Sequence, residues 1–150
     1  MNNPIKKYAV VGHPVDHSKS PAIHQCFAKE FGLSIDYDKI DITPEHFVDA
    51  IHTLRHQNYL GLNVTLPFKA EAFAICDEVS STSKLTESVN TLSFIDGRIY
   101  GDTTDGIGIV SDLTSKHVTI QHAHLAILGA GGASNGVMYD GIFFYRVVHK

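Results

Sequence analysis

Asn63-Val64-Thr65-Leu66-Pro67-Phe68-Lys69 sets an amide, a hydroxyl and a lysine at the end of a short apolar run, and no other stretch constrains the fold as strongly. Leu60 to Leu66 reads as a β-strand. Pro67 suits the first position of a following helix, where its missing N–H would have had no intrahelical partner. Lys69 then falls in the opening turn of that helix, near the carboxyl end of the strand. Small ligands bind at that edge of open α/β sheets.

The chain begins with the same order of strand, polar loop and helix. Lys6 to Gly12 predicts a strand with a buried Tyr8-Ala9-Val10-Val11 core, and Ser20-Pro21 offers an N-cap followed by proline at the first helical position. Ile23, Phe27 and Phe31 recur at four-residue steps on one helix face, and Gly32 sits where a left-handed cap would end it. Ile35 to Ile42 predicts a second strand, and Thr43-Pro44 opens a helix carrying Phe47, Val48, Ile51 and Leu54. Ser88 to Ile95 and Arg98 to Tyr100 flank Asp96-Gly97, a strong hairpin signal, so this pair is expected to be antiparallel and near one sheet edge. A helix from Asp105 to about Lys116 leads to a strand over His124-Leu125-Ala126-Ile127-Leu128. This alternation predicts an α/β chain: a three-layer αβα domain around a mixed, mostly parallel sheet. No internal repeat is evident.

Composition narrows the partners. At 43% hydrophobic and 19% charged, 150 residues suffice for one sizeable core, and disorder is not expected. A net charge of -4 supplies no basic footprint for nucleic acid, and no apolar run is long enough to span a bilayer. The first residues, Met1 to Lys7, lack the apolar segment of a secretory signal, so a cytoplasmic address is expected. Cys26 and Cys76 stand far apart outside any C-x-x-C pattern and are read as free thiols. His52 and His56 have the spacing of a two-imidazole helix face, but no carboxylate motif accompanies them. They are read as a solvated face, and no metal is expected.

Four further motifs surround the lysine: His17-Ser18-Lys19-Ser20-Pro21, Val89-Asn90-Thr91, Gly101-Asp102-Thr103-Thr104-Asp105-Gly106 and Gly129-Ala130-Gly131-Gly132-Ala133-Ser134. In this order and at these intervals the chain resembles the shikimate dehydrogenase family, from Tyr8 to about Gly136. The resemblance implies reversible NADPH-linked reduction of 3-dehydroshikimate to shikimate, in the pathway to chorismate and the aromatic amino acids. It implies a shikimate-binding catalytic domain over residues 1–105, and the start of an NADP-binding Rossmann-like unit, incomplete, over residues 106–150.

Ketone reduction builds negative charge on the carbonyl oxygen, and the reverse oxidation removes a hydroxyl proton, so a positioned proton donor and acceptor serves both directions. The resemblance assigns this work to Lys69, with Asp105 as its catalytic partner. It assigns Ser18 and Ser20 to the substrate carboxylate, and Thr65, Lys69, Asn90 and Asp105 to the ring hydroxyls and the reacting oxygen. Gly129, Ala130, Gly131, Gly132 and Ala133 would approach the cofactor pyrophosphate, as a glycine turn between strand and helix allows. Each residue also has a plain structural reading: helix capping for Ser20 and Asp105, a surface loop for Ser18, strand propensity for Thr65, a solvated chain for Lys69.

The sequence departs from the family in places. Asn135 stands where a basic residue is usual, Ser81 where an acidic one is common, and Thr103 where asparagine is common. Asp140 to Lys150 does not read as the expected helix and strand, because Asp140-Gly141 interrupts a helix and Ile142 to Val148 is a β-prone apolar run. This pattern predicts a reading frame truncated or shifted after about Gly136, weakened NADP binding, and self-association through an exposed strand. Two alternatives stand beside the main reading: a quinate/shikimate dehydrogenase, and a non-catalytic fragment that binds shikimate or merely folds.

Overall fold

The computed structural model describes residues 5–120, 125–128, 134 and 145–148. The elements run β1 (Lys6–Gly12), α1 (Ser20–Glu30), β2 (Ile35–Asp41), a 3-10 turn (Pro44–His46) leading into α2 (Phe47–His56), β3 (Tyr59–Val64) and α3 (Lys69–Ala74). They continue through β4 (Glu78–Val79), α4 (Ser81–Thr86), β5 (Thr91–Ile95), β6 (Arg98–Asp102), α5 (Asp105–Ser115), β7 (Leu125–Leu128) and β8 (Tyr145–Val148).

A six-stranded sheet has the order β2-β1-β3-β5-β6-β4. β1 pairs in parallel with β2 and β3, and β4 pairs in parallel with β6, whereas β5 is antiparallel to both β3 and β6. Within this sheet only β5 runs against its neighbours on both sides, so the sheet is mixed and mostly parallel, as expected. The β5–β6 hairpin turns at Asp96 (φ 50) and Gly97 (φ 76), both left-handed, as a tight hairpin turn requires. It lies next to the edge strand of the sheet, near one edge as expected. β4 lies outside it, and a strand of two residues has no periodicity to announce it.

Alternate residues of the strands face opposite layers. On one side Ala9, Val11, Leu62, Val64, Leu92 and Ile99 pack against Phe47, Ile51 and Leu54 of α2 and against Phe68 and Ala72. Phe47 and Phe68 stack at 4.4 Å between ring centroids, both fully buried, and each such side chain contributes about 1.5–3 kcal/mol through burial. On the other side Val10, Val15 and Tyr37 form a smaller cluster, and His24 of α1 stacks on Tyr37 at 4.3 Å. The result is helix, sheet, helix.

The apolar stripe of α1 is not the surface it packs. Ile23 and Phe27 of α1 and Phe31 at its C-cap are exposed, Phe31 by 71%, and Ala28 is the buried residue of that helix. A four-residue apolar repeat identifies a stripe but not what lies opposite it. Here His24 and Ala28 face the sheet, while Phe27 and Phe31 overhang an open cavity of about 570 Å³ that Leu33, Leu60 and Ile95 also line.

The expected caps also shift. Lys19, not Ser20, is the N-cap of α1, with no side-chain capping bond, and Ser20-Pro21 are its first helical residues. Leu66–Pro67 is a cis bond ahead of α3, whose first residue is Lys69. The 3-10 turn at Pro44 precedes α2, and Thr43 makes no side-chain cap. Of the divergent ending, Tyr145–Val148 is a strand paired in parallel with β7, so on that side its backbone is not left open. Gly129, Ala130, Gly131, Gly132 and Ala133 lie outside the described residues. Among the described residues, no helix is long and apolar enough to cross a membrane, and no group of three metal-ligating side chains gathers.

Candidate active site

The carboxyl ends of β1 and β3 are held together by backbone bonds. The Thr65 N–H donates to the Val11 carbonyl at 2.9 Å, and the His13 N–H donates to the Leu66 carbonyl at 3.0 Å. Gly12 makes this approach possible, because a Cβ there would collide with the Thr65 methyl and reach the Leu66 carbonyl oxygen at 3.1 Å. Thr65 therefore leaves β3 beside the loop that follows β1. That loop carries Ser18, whose N–H donates to the Val15 carbonyl at 2.9 Å.

Lys69 and Asp105 open α3 and α5, and their side chains meet. Lys69 Nζ donates to Asp105 Oδ2 at 2.6 Å, across 36 residues of sequence, with both side chains about one-fifth exposed. Neither is a free surface charge. The Lys69 backbone is tied in turn, since its carbonyl accepts from the Val89 N–H at 2.9 Å. Asp105 does not cap its helix: Thr104 is the N-cap of α5, and no side-chain capping bond forms.

Asn90 joins the pair. Its Nδ2 donates to Asp105 Oδ1 at 2.8 Å and to Thr104 Oγ1 at 3.0 Å. Its Oδ1 accepts from the Thr104 N–H at 3.2 Å and from Thr91 Oγ1 at 2.8 Å. The backbone donor at Thr104 sets the amide orientation, because only Oδ1 can accept from it. Asn90 thereby aims an N–H at the carboxylate. Both Asp105 oxygens are engaged and the ammonium keeps further donors, which suits directional contact with hydroxyls.

Ser18 and Ser20 form a second cluster. Ser18 Oγ donates to Ser20 Oγ at 3.1 Å and accepts from the Ser20 N–H at 3.3 Å. Tyr37 on β2 stands beside them: burial pushes its phenol above the ordinary value, and a bond to Ser20 opposes that shift. Its hydroxyl donates to Asn63 Oδ1 at 2.6 Å, and Asn63 Nδ2 reaches Thr91 Oγ1 at 3.4 Å. A continuous polar chain thus runs from Tyr37, beside the serines, through Asn63 and Thr91 to Asn90, Asp105 and Lys69. Burial holds the His24 imidazole below its usual value, while a bond to Asn63 opposes that shift.

The structure brings Lys69, Asn90 and Asp105 into direct contact, links Ser18 to Ser20, and sets Thr65 at the junction of the two loops. Sequence reasoning missed Tyr37 as a member of the network, and Asn63, Thr91 and Thr104 were noted only within their motifs. A signal for Asn63 existed, since an amide inside the apolar run Leu60 to Leu66 needs a buried partner. Tyr37 gave none, because an edge strand with a tyrosine is ordinary.

The match to known proteins follows these elements. The model for the shikimate dehydrogenase substrate binding domain matches residues 10–92. The shikimate dehydrogenase (NADP(+)) of Methylobacillus flagellatus is 44% identical over 133 residues, covering 88% of this chain and 49% of that protein. A shikimate dehydrogenase crystallised with NADP+ superposes with a TM-score of 0.88 at 33% identity, over 95% of this chain and 50% of that one. The Thermus thermophilus enzyme in complex with shikimate gives 0.83 at 35% identity, over 89% and 51%. The chain spans about half the length of the curated relatives it matches. With the family's substrate-binding fold running through β1 to β5, the chain belongs to the shikimate dehydrogenase family.

Proposed function

We propose that the chain binds shikimate and 3-dehydroshikimate as the substrate-binding part of an NADP-linked dehydrogenase. The observation that carries this reading is the Lys69–Asp105 pair, held at 2.6 Å and locked by Asn90 at the carboxyl edge of the sheet. Ser18 and Ser20 receive the carboxylate, and Thr65, Asn90 and Asp105 hold the ring hydroxyls. Lys69 donates a proton to the carbonyl oxygen as that oxygen becomes a hydroxyl, and the Lys69–Asp105 pair takes the proton back in the reverse direction. Residues 1–105 form the shikimate-binding catalytic domain, and residues 106–150 begin the nucleotide-binding unit. The relatives' names and the complexes with shikimate and NADP+ support the substrate and the cofactor.

The parallel pairing of β7 with β8 fits a phosphate-binding turn, since Gly129 to Ala133 directly follow the carboxyl end of β7. When bound there, NADP would supply or accept the hydride. The reading implies a cytoplasmic biosynthetic enzyme. Its test is shikimate binding together with NADP-dependent oxidation of shikimate by the purified chain, with Lys69→Ala alongside. We expect binding in the wild type, and a loss of at least 100-fold in any turnover on substitution, the usual scale for removing general acid–base catalysis. Binding without turnover identifies a substrate domain alone. Preference for quinate over shikimate supports the quinate/shikimate alternative, and absence of binding overturns the reading.

A further inference from the structure

Resting on the shikimate reading, we propose that Asp41 of edge strand β2 is a positioning residue that sets Ser18 and Ser20 for the carboxylate of the ligand, with Lys39 beside it bracing the same loop. Tyr37, Lys39 and Asp41 occupy alternate positions of β2 and therefore share one face of it. Lys39 and Asp41 reach the segment between β1 and α1, and Tyr37 lies beside Ser20 at the start of α1. Lys39 Nζ donates to the Asp16 carbonyl at 2.6 Å. Asp41 Oδ1 bonds His13 Nδ1 at 2.7 Å, and Asp41 Oδ2 accepts from the Val15 N–H at 3.1 Å.

The link to the serines passes through a single residue. Val15 gives its N–H to Asp41, and its carbonyl accepts from the Ser18 N–H at 2.9 Å. Its side chain is 1% exposed, so the residue is fixed on three sides. Ser18 Oγ then bonds both the hydroxyl and the backbone N–H of Ser20. The direction of the two serine hydroxyls thus depends on where Asp41 holds Val15. Register places Asp41 for this task, because it pairs with Gly12 at the last ladder position before the loop.

A solvated polar face on an edge strand is the ordinary alternative, and it predicts three side chains pointing to water. Instead the bonds of Lys39 and Asp41 converge on one loop, across 23 to 28 residues of sequence, and Tyr37 bonds Asn63 of β3. Surface bonds of this kind add little to global stability, since the Asp41 and His13 side chains are 39% and 42% exposed. The consequence of losing them is therefore misplacement of the serines rather than unfolding.

The charge of Asp41 makes the idea testable by sign. An anion near an anion-binding loop repels a carboxylate, so electrostatics alone predicts tighter shikimate binding in Asp41→Asn, whereas positioning predicts weaker binding. The experiment compares shikimate with its uncharged methyl ester on wild type, Asp41→Asn, Lys39→Met and the charge control Asp112→Asn, and follows amide hydrogen exchange at Val15 and Ser18. We expect about a tenfold loss in shikimate affinity for Asp41→Asn, the scale of one charge-assisted bond, with ester affinity within twofold. Exchange at Val15 and Ser18 should accelerate in the same variant, and Asp112→Asn should match wild type in every measurement. Tighter shikimate binding, or an unchanged acid-to-ester ratio with unchanged exchange, overturns the proposal. If the wild type binds no shikimate, the functional reading fails, and exchange at the two amides alone decides whether Asp41 positions the loop.

Discussion

Cys26 and Cys76 show how one residue type takes two characters from its surroundings. Cys76 donates its S–H to the Ala72 carbonyl at 3.0 Å, and burial, followed by the Asp77 charge, pushes its thiol up to about 11. Cys26 is exposed. Since the thiolate is the nucleophile, alkylation near neutral pH should label Cys26 while leaving Cys76 largely unmodified, at least ten times slower by peptide mapping. Equal labelling would place Cys76 outside the core. Two free thiols are legible in the sequence, but not the difference between them. The same holds for the catalytic candidates: the motif picks out Lys69, while its 2.6 Å contact with Asp105 belongs to the folded chain. Ser83 and Ser88 resist any sequence reading. Their hydroxyls are fully buried with no hydrogen-bond partner among the described residues, each at a cost of about 1–3 kcal/mol.

At the scale of elements, strands are the easiest to read and caps the hardest. β1, β2 and β3 emerge from apolar runs and alternation, and their ends fall within two residues of expectation. β4 and α4 have no counterpart in the sequence reading, because a two-residue strand and the polar helix Ser81–Thr86 carry no apolar period. The hairpin is the most local feature, and its turn can be tested alone. Gly97 has a φ of 76 and open space where a Cβ would project, so Gly97→Ala meets backbone strain without a clash. We expect it to cost about 1 kcal/mol in urea unfolding, with the denaturant slope unchanged. A neutral substitution would show that the turn relaxes at no cost. Arg55 of α2 donates to the Gly97 carbonyl at 2.6 Å, so the helix layer also holds this turn.

For the molecule as a whole, the sheet sets an alkaline limit. Tyr59 on β3 donates its hydroxyl to Asp38 on β2 at 2.6 Å, bridging over β1, and burial, then the Asp38 bond, pushes its phenol up to about 12. The folded value exceeds the ordinary 10.0, so this contribution is complete below pH 10 and is lost as pH rises toward 12. Urea midpoints measured across that window should fall with pH in the wild type and fall less steeply in Tyr59→Phe. Parallel curves would assign the alkaline limit to other groups. The sequence alone determined the alternation of strands and helices, the hairpin and the chemistry of the motifs, because apolar period, glycine and proline act through local backbone preference. Tertiary structure decided which surface α1 packs, where β4 sits, and that Asn63 and Thr91 connect Tyr37 to the lysine pair. Those outcomes depend on register between distant segments, such as Asn63 opposite Thr91 and Gly12 beside Asp41, and neighbours in sequence carry no information about that register.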